Sequence, residues 1–132
     1  LPVQVKAIVS DCAFANIRQQ LEYIIPQIMH VRIKLTLFQV LAMFHHETGL
    51  SVDAQSPLES VKHAKVPMLF IHGEEDRYVL KENALKLYDA CGNEKQLLLI
   101  PGAGHAASHY IGKDQYETAL FQFLDKHLEE GK

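Results

Sequence analysis

Apolar residues fall along the chain in two rhythms: short unbroken runs, and longer stretches spaced by three and four. Short runs between turn residues mark strands covered on both faces of a sheet, whereas three-and-four spacing marks the buried side of a helix. The first run, Val3 to Val9 (VQVKAIV), alternates and then turns continuous before Ser10-Asp11-Cys12, and predicts a strand. Behind Asn16, a suitable N-cap, Leu21, Ile24, Ile25 and Ile28 lie at helical spacing. They predict a helix over Ile17 to Ile25 that Pro26 should end or kink. A second helix follows from about His30 to Thr48, with Val31, Leu35, Phe38, Leu41 and His45 along one side. Leu37, Val40 and Phe44 widen that stripe, so more than one face should be covered, and Gly49 suits the C-cap.

Beyond a polar loop, Ser56-Pro57-Leu58-Glu59 has a capping-box pattern with Pro at the first helical position, for a short helix to about His63. The stretch Val66 to Val79 (VPMLFIHGEEDRYV) is the centre of the chain. Pro67 opens it, Met68 to Ile71 are continuously apolar, and Gly73 frees the backbone where the strand ends in an acidic turn, Glu74-Glu75-Asp76. A helix from Lys81 to Cys91 places Ala84, Leu85, Leu87 and Tyr88 inward. A third strand spans Leu97 to Ile100. A second capping-box pattern, Asp114-x-x-Glu117, opens a last helix with Tyr116, Leu120, Phe121, Phe123, Leu124 and Leu128 apolar. The order β-αα-α-β-α-β-α predicts an α/β fold of three parallel strands with flanking helices.

At 132 residues the chain is one domain at most, with room for a sizeable core. Its composition, 48% hydrophobic and 22% charged, is that of a globular protein. A net charge of −3 without a basic stripe argues against a nucleic-acid partner. No apolar segment reaches the roughly 18 residues of a membrane span, and no signal-peptide pattern opens the chain, so no membrane partner is expected. Cys12 and Cys91 do not make a disulfide framework and fit a reducing cytoplasm. His45-His46-Glu47 invites a metal reading, but adjacent helical residues point about 100° apart and no H-E-x-x-H spacing is present. A helix-end pair is the better reading, and neither metal nor cofactor is expected.

Chemistry in open α/β sheets collects beyond the carboxyl ends of the strands, where Asp76 would sit. A second such turn, in KQLLLIPGAGH, delivers His105. A base histidine needs a carboxylate that fixes its tautomer and stabilises the imidazolium formed when it takes a proton. Asp76 and His105 are 29 positions apart with one crossover helix between them, a reasonable length for bringing two strand ends side by side. Taken singly, each has a blander reading, a solvated turn carboxylate and a loop histidine. His109 is the reserve base, and His72 reads as a hydrogen-bonded core or rim histidine. Glu74 and Glu75 read as a solvated turn. Ser10 and Cys12 close a strand but lack the glycines a strained nucleophile turn requires, so both read as structural.

HGEEDRYV resembles the acid-bearing turn of α/β-hydrolases, an HGxxDxxV pattern after the penultimate strand, and PGAGH resembles the turn carrying their catalytic histidine. VKAIVSDC resembles the strand after the nucleophile helix. Ala13 to Gln55 sits where the family inserts a helical cap, and SPLESVKHAKVP resembles the approach to the acid strand. The likeness is to bacterial serine hydrolases related to the prolyl-oligopeptidase and cinnamoyl-esterase groups, and it spans nearly the whole chain. It implies one partial α/β-hydrolase domain over residues 1–132 with a helical cap over 13–55, Asp76 as triad acid and His105 as base. The substrate implied is a small ester, thioester or amide.

The G-x-S-x-G elbow of that family is missing from these 132 residues. The expectation is therefore a C-terminal part of a serine hydrolase, its nucleophile upstream of residue 1, inactive alone. A non-catalytic pseudo-hydrolase or interaction module is the alternative. The Val3–Val9 edge would then be left without its family neighbour, so pairing with the missing half, or self-association through that edge, is expected.

Overall fold

The computed structural model describes residues 4–29, 33–52 and 56–128. Strands β1 (Ile8–Asp11), β2 (Met68–Gly73) and β3 (Lys95–Ile100) form a parallel sheet in the order β1-β2-β3. Ile8 stands opposite Met68 and Asp11 opposite Ile71, while Met68 stands opposite Lys95 and Gly73 opposite Ile100. Helices α1 (Ile17–Met29), α2 (Ile33–Thr48) and α3 (Pro57–Lys62) connect β1 to β2, and α4 (Glu82–Ala90) connects β2 to β3. After β3 come α5 (Ser108–Ile111) and α6 (Lys113–Leu128). The expected α/β class, with three parallel strands and flanking helices, is what the chain adopts.

Every residue of β2 is buried, because both of its edges are paired and both of its faces are covered. Its unbroken apolar run divides into two alternating sets. Met68 and Phe70 pack with Ala15, Val61 of α3, Leu87 of α4 and Cys91. Leu69 and Ile71 pack with Ile100, Ala103 and Phe123 of α6. Each Val, Leu, Ile, Met or Phe among them contributes on the order of 1.5–3 kcal/mol by leaving water. These two half-cores fix the sheet between two helical layers and so fix where its strand ends emerge.

Several local expectations need correction. The first strand runs over Ile8–Asp11 rather than Val3–Val9. Its ladder starts where β2 starts, with Ile8 N–H donating to Pro67 O (3.0 Å), and among the described residues no strand runs alongside Gln4 to Ala7. Val3, His30, Val31 and Gln55 lie outside the described residues. Asn16 caps α1 as expected, its Oδ1 accepting from Gln19 N–H (3.0 Å). Pro26, however, does not end that helix, which continues to Met29. The missing amide costs one helical bond, while Ile25 is anchored in the core. The broad apolar cover expected for α2 is also absent: Leu37 is buried, but Leu35, Phe38 and Met43 are more than 60% exposed. Gly49 does cap α2, with φ +68° and its N–H donating to His45 O (2.8 Å).

Neither capping box forms. Ser56 precedes α3, but its buried hydroxyl donates to Ala15 O (3.4 Å) instead of capping. Asp114 lies inside α6, which starts at Lys113, and the Glu117 carboxylate pairs with the side chains of His109 and Lys113. Strand β3 begins two residues early, at Lys95, which pairs with Met68 at the start of β2; its Nζ lies 4.9 Å from the Tyr88 ring centroid and donates to Asp89 O and Cys91 O. Among the described residues no helix is long and apolar enough to cross a membrane.

Candidate active site

Strands β2 and β3 end opposite each other at Gly73 and Ile100, so the loops that follow start side by side. They are hydrogen-bonded together: Glu74 N–H donates to Ile100 O and Glu75 N–H to Ala103 O, both at 3.0 Å. This close approach depends on Gly73, where a Cβ would lie 2.3 Å from Ala103 O and 2.8 Å from Gly104 O. Asp76 N–H donates to Gly73 O (3.3 Å) and closes the acidic turn. Glu74 and Glu75 point into solvent, as their sequence suggested.

The turn buries the Asp76 carboxylate and surrounds it with donors. Oδ1 accepts from Tyr78 N–H and Val79 N–H, both at 2.9 Å. Oδ2 lies 2.8 Å from His105 Nδ1. The His105 side chain is 40% exposed, while that of Asp76 is wholly buried. Because a carboxylate can only accept here, the imidazole proton sits on Nδ1 and Nε2 keeps its lone pair. A buried acid thus holds a half-exposed imidazole in one tautomer. The Tyr78 ring leans against His105, with centroids 5.7 Å apart and planes at 52°. Helix α1 is tied to the same turn through Gln20 Nε2 donating to Tyr78 O (2.6 Å) and Tyr23 OH donating to Arg77 O (3.0 Å).

Two neighbours of this pair were not legible as such. His72, the penultimate residue of β2, is fully buried; its Nε2 donates to Val79 O (2.7 Å) and lies 3.3 Å from Asp76 Oδ2. The available signal was its position, since a histidine inside a buried apolar run must find a polar partner. Cys12 follows β1, and its Sγ lies with the facing Asp76 and His105 atoms, all within 4.8 Å of one another. Its thiol donates to Asp11 Oδ1 (3.1 Å) and accepts from Ala106 N–H (3.3 Å). Cys12 and Ala106, both at φ 53°, are the non-glycine residues with positive φ among those described. Cys12, Asp76 and His105 supply S, O and N donors near enough for one metal ion, but the Asp76–His105 bond already occupies two of them with each other.

Partial burial, followed by the hydrogen bond to Asp11, raises the Cys12 thiol from an ordinary 9.0 to about 11. It is therefore a protonated thiol near neutrality and no activated nucleophile. Iodoacetamide should label it slowly at pH 7.5, with the rate climbing toward pH 11; rapid labelling at pH 7.5 would contradict this environment. The unfolded chain would lose this proton first, so the associated stability is whole below pH 9 and is lost between about pH 9 and pH 11.

The other candidates lie elsewhere. His109 pairs with Glu117 Oε1 (3.0 Å) and stacks edge-on against Tyr116, so the reserve base does not face Asp76. His45 Nδ1 faces Leu50 O (3.1 Å), whereas the exposed His46 pairs with Glu47 (3.2 Å); the three do not converge. Ser10 lies within β1.

Residues 34–131 match the prolyl oligopeptidase family. The chain belongs to that family. Both loops of the site fall inside the matched span, whereas β1 and Cys12 precede it. Over 121 residues the chain is 26% identical to YqkD of Bacillus subtilis, covering 89% of this chain and 38% of that protein. It is 32% identical over 76 residues to human alpha/beta hydrolase domain-containing protein 17B, covering 58% of this chain and 26% of that one. Among solved structures it superposes on acylaminoacyl peptidase from Pyrococcus horikoshii with a TM-score of 0.66 at 16% identity, covering 96% of this chain and 21% of the peptidase. The fold is thus that of the α/β-hydrolases. This prolyl oligopeptidase family chain spans well under half the length of the curated relatives it matches.

Proposed function

We propose that this chain supplies the acid and the base of a serine hydrolase acting on an ester, thioester or small amide. The observation that carries the reading is the 2.8 Å contact between a buried carboxylate and the Nδ1 of a partly exposed imidazole, at the ends of adjacent parallel strands. Asp76 holds His105 with Nε2 free to take the proton of a serine hydroxyl as its oxygen attacks the substrate carbonyl carbon. His105 then passes that proton to the leaving group and activates water to release the acyl group. The serine and the oxyanion donors come from residues outside these 132, which by themselves turn over no ester. Helices α1 and α2 act as the cap. A cleft of about 280 Å³ between α1 and the acid turn, lined by Ile24, Gln27, Ile28, Arg77 and Tyr78, offers room for an apolar portion of substrate. On the outer edge of β1, which pairs with no strand among the described residues, a further strand docks, from the rest of the protein or from a second copy.

A fluorophosphonate probe on the complete protein tests the reading. Labelling of one serine that is strongly slowed by His105→Ala is the expected result. No labelling, or labelling indifferent to that substitution, would favour the second reading, a pseudo-hydrolase serving as an interaction module. That alternative draws on the lack of a G-x-S-x-G pentapeptide in this sequence.

A further inference from the structure

We propose that His72 is a positioning residue for the acid, acting on Asp76 from the side opposite the solvent; the inference rests on Asp76 and His105 being acid and base. His72 is wholly buried at the end of β2, four residues before Asp76. Its Nε2 lies 2.7 Å from Val79 O and 3.3 Å from Asp76 Oδ2. Both of these atoms accept only, so Nε2 carries the proton and shares it unequally, mainly with Val79 O. Nδ1 is buried and has no hydrogen-bond partner among the described residues, so Nε2 makes the ring's polar contacts.

Val79 is engaged at both ends of its backbone. Its N–H donates to Asp76 Oδ1, and its carbonyl accepts from His72. The His72–Val79 bond therefore closes the turn that carries Asp76. The residual donation toward Oδ2 falls on the very oxygen that His105 uses. Without that donor the turn would lose its brace against the strand, and the carboxylate would be freer to rotate away from His105.

Substitutions separate this role from simple filling of space. Phe keeps the ring volume without a donor. Gln places its amide nitrogen as many bonds from Cα as Nε2 of histidine, and that nitrogen offers two protons, one for each acceptor. The amide oxygen of Gln replaces an acceptor that already lacks a partner, so no new orphan donor is buried. Asn brings its nitrogen one bond short.

The experiment is carried out on the complete protein, reading fluorophosphonate labelling rate together with the NMR resonance of the His105 Nδ1 proton. His72→Phe should label about tenfold to a hundredfold more slowly, the kinetic equivalent of leaving buried acceptors without their donor. It should also broaden or shift the His105 resonance. His72→Gln should restore both, and His72→Asn should restore neither. A Phe variant that labels at the unaltered rate with an unchanged resonance would overturn the inference. If the Phe variant does not fold, the Gln and Asn variants decide: faster labelling by Gln supports the proposal, and equal rates overturn it. Should the unaltered protein not label at all, the hydrolase reading fails, and the His105 resonance alone then tests the link between His72 and the carboxylate.

Discussion

In the complete protein, Asp76→Asn should lower kcat by about 10⁴-fold while leaving the fold intact, the scale of loss seen when a triad acid becomes an amide. The side chains have the same shape, and the Asn carbonyl can still accept from the amides of Tyr78 and Val79 that now hold Oδ1. The change falls on the other atom. Where Oδ2 now accepts from His105 Nδ1 at 2.8 Å, an NH₂ group would meet the ring, and two donors would face each other. The imidazole relieves this by moving its proton to Nε2, which removes the lone pair that would take the proton of the serine. Steady-state kinetics beside a thermal melt separates the two effects. Activity within tenfold of the unaltered protein would remove Asp76 from the mechanism.

A second large effect is expected where there is no side chain at all. In Gly73→Ala the new Cβ would stand 2.3 Å from Ala103 O and 2.8 Å from Gly104 O, both backbone atoms that cannot swing aside. The loops after β2 and β3 must part, straining the Glu75–Ala103 bond and the contact between Asp76 and His105. Overpacking of this kind costs about 1–3 kcal/mol, occasionally more. A displacement of about 1 Å between catalytic groups can cost 10²-fold in rate. The complete protein should therefore lose both stability in a denaturant titration and at least that much kcat/KM. Gly104→Ala is the control: it is adjacent to His105, yet a Cβ there meets nothing within 4 Å. It should melt and turn over much like the unaltered protein. Equal behaviour of the two variants would show that the loops are not held by close packing at Gly73.

The contrast between these glycines shows what the sequence could reveal. PGAGH and HGEEDRYV each advertise a glycine-rich turn, and Met68 to Ile71 advertise a buried strand, because turn chemistry and apolar runs are local properties. The Asp76–His105 juxtaposition was within reach because one crossover helix and two parallel strands leave few ways to arrange the turns. Other features depend on contacts across long separations. Cys12 reaches the site only because β1 lies beside β2, and its contact with Ala106 spans 94 positions. Ser56 fits a capping pattern, but its hydroxyl is claimed by Ala15 O, 41 positions away. Helix α2 reads as apolar on several sides, yet spacing says nothing about which side a neighbour covers, and Phe38 remains 71% exposed.

Two amide planes link α1 and the Asp76 carboxylate more intimately than packing alone would. The peptide unit joining Arg77 to Tyr78 takes the Tyr23 hydroxyl on its oxygen and gives its hydrogen to Asp76. The next unit does the same with Gln20 on one side and Asp76 on the other. Hydrogen bonds chained through a peptide polarise one another, so each helix side chain strengthens the amide's grip on the carboxylate.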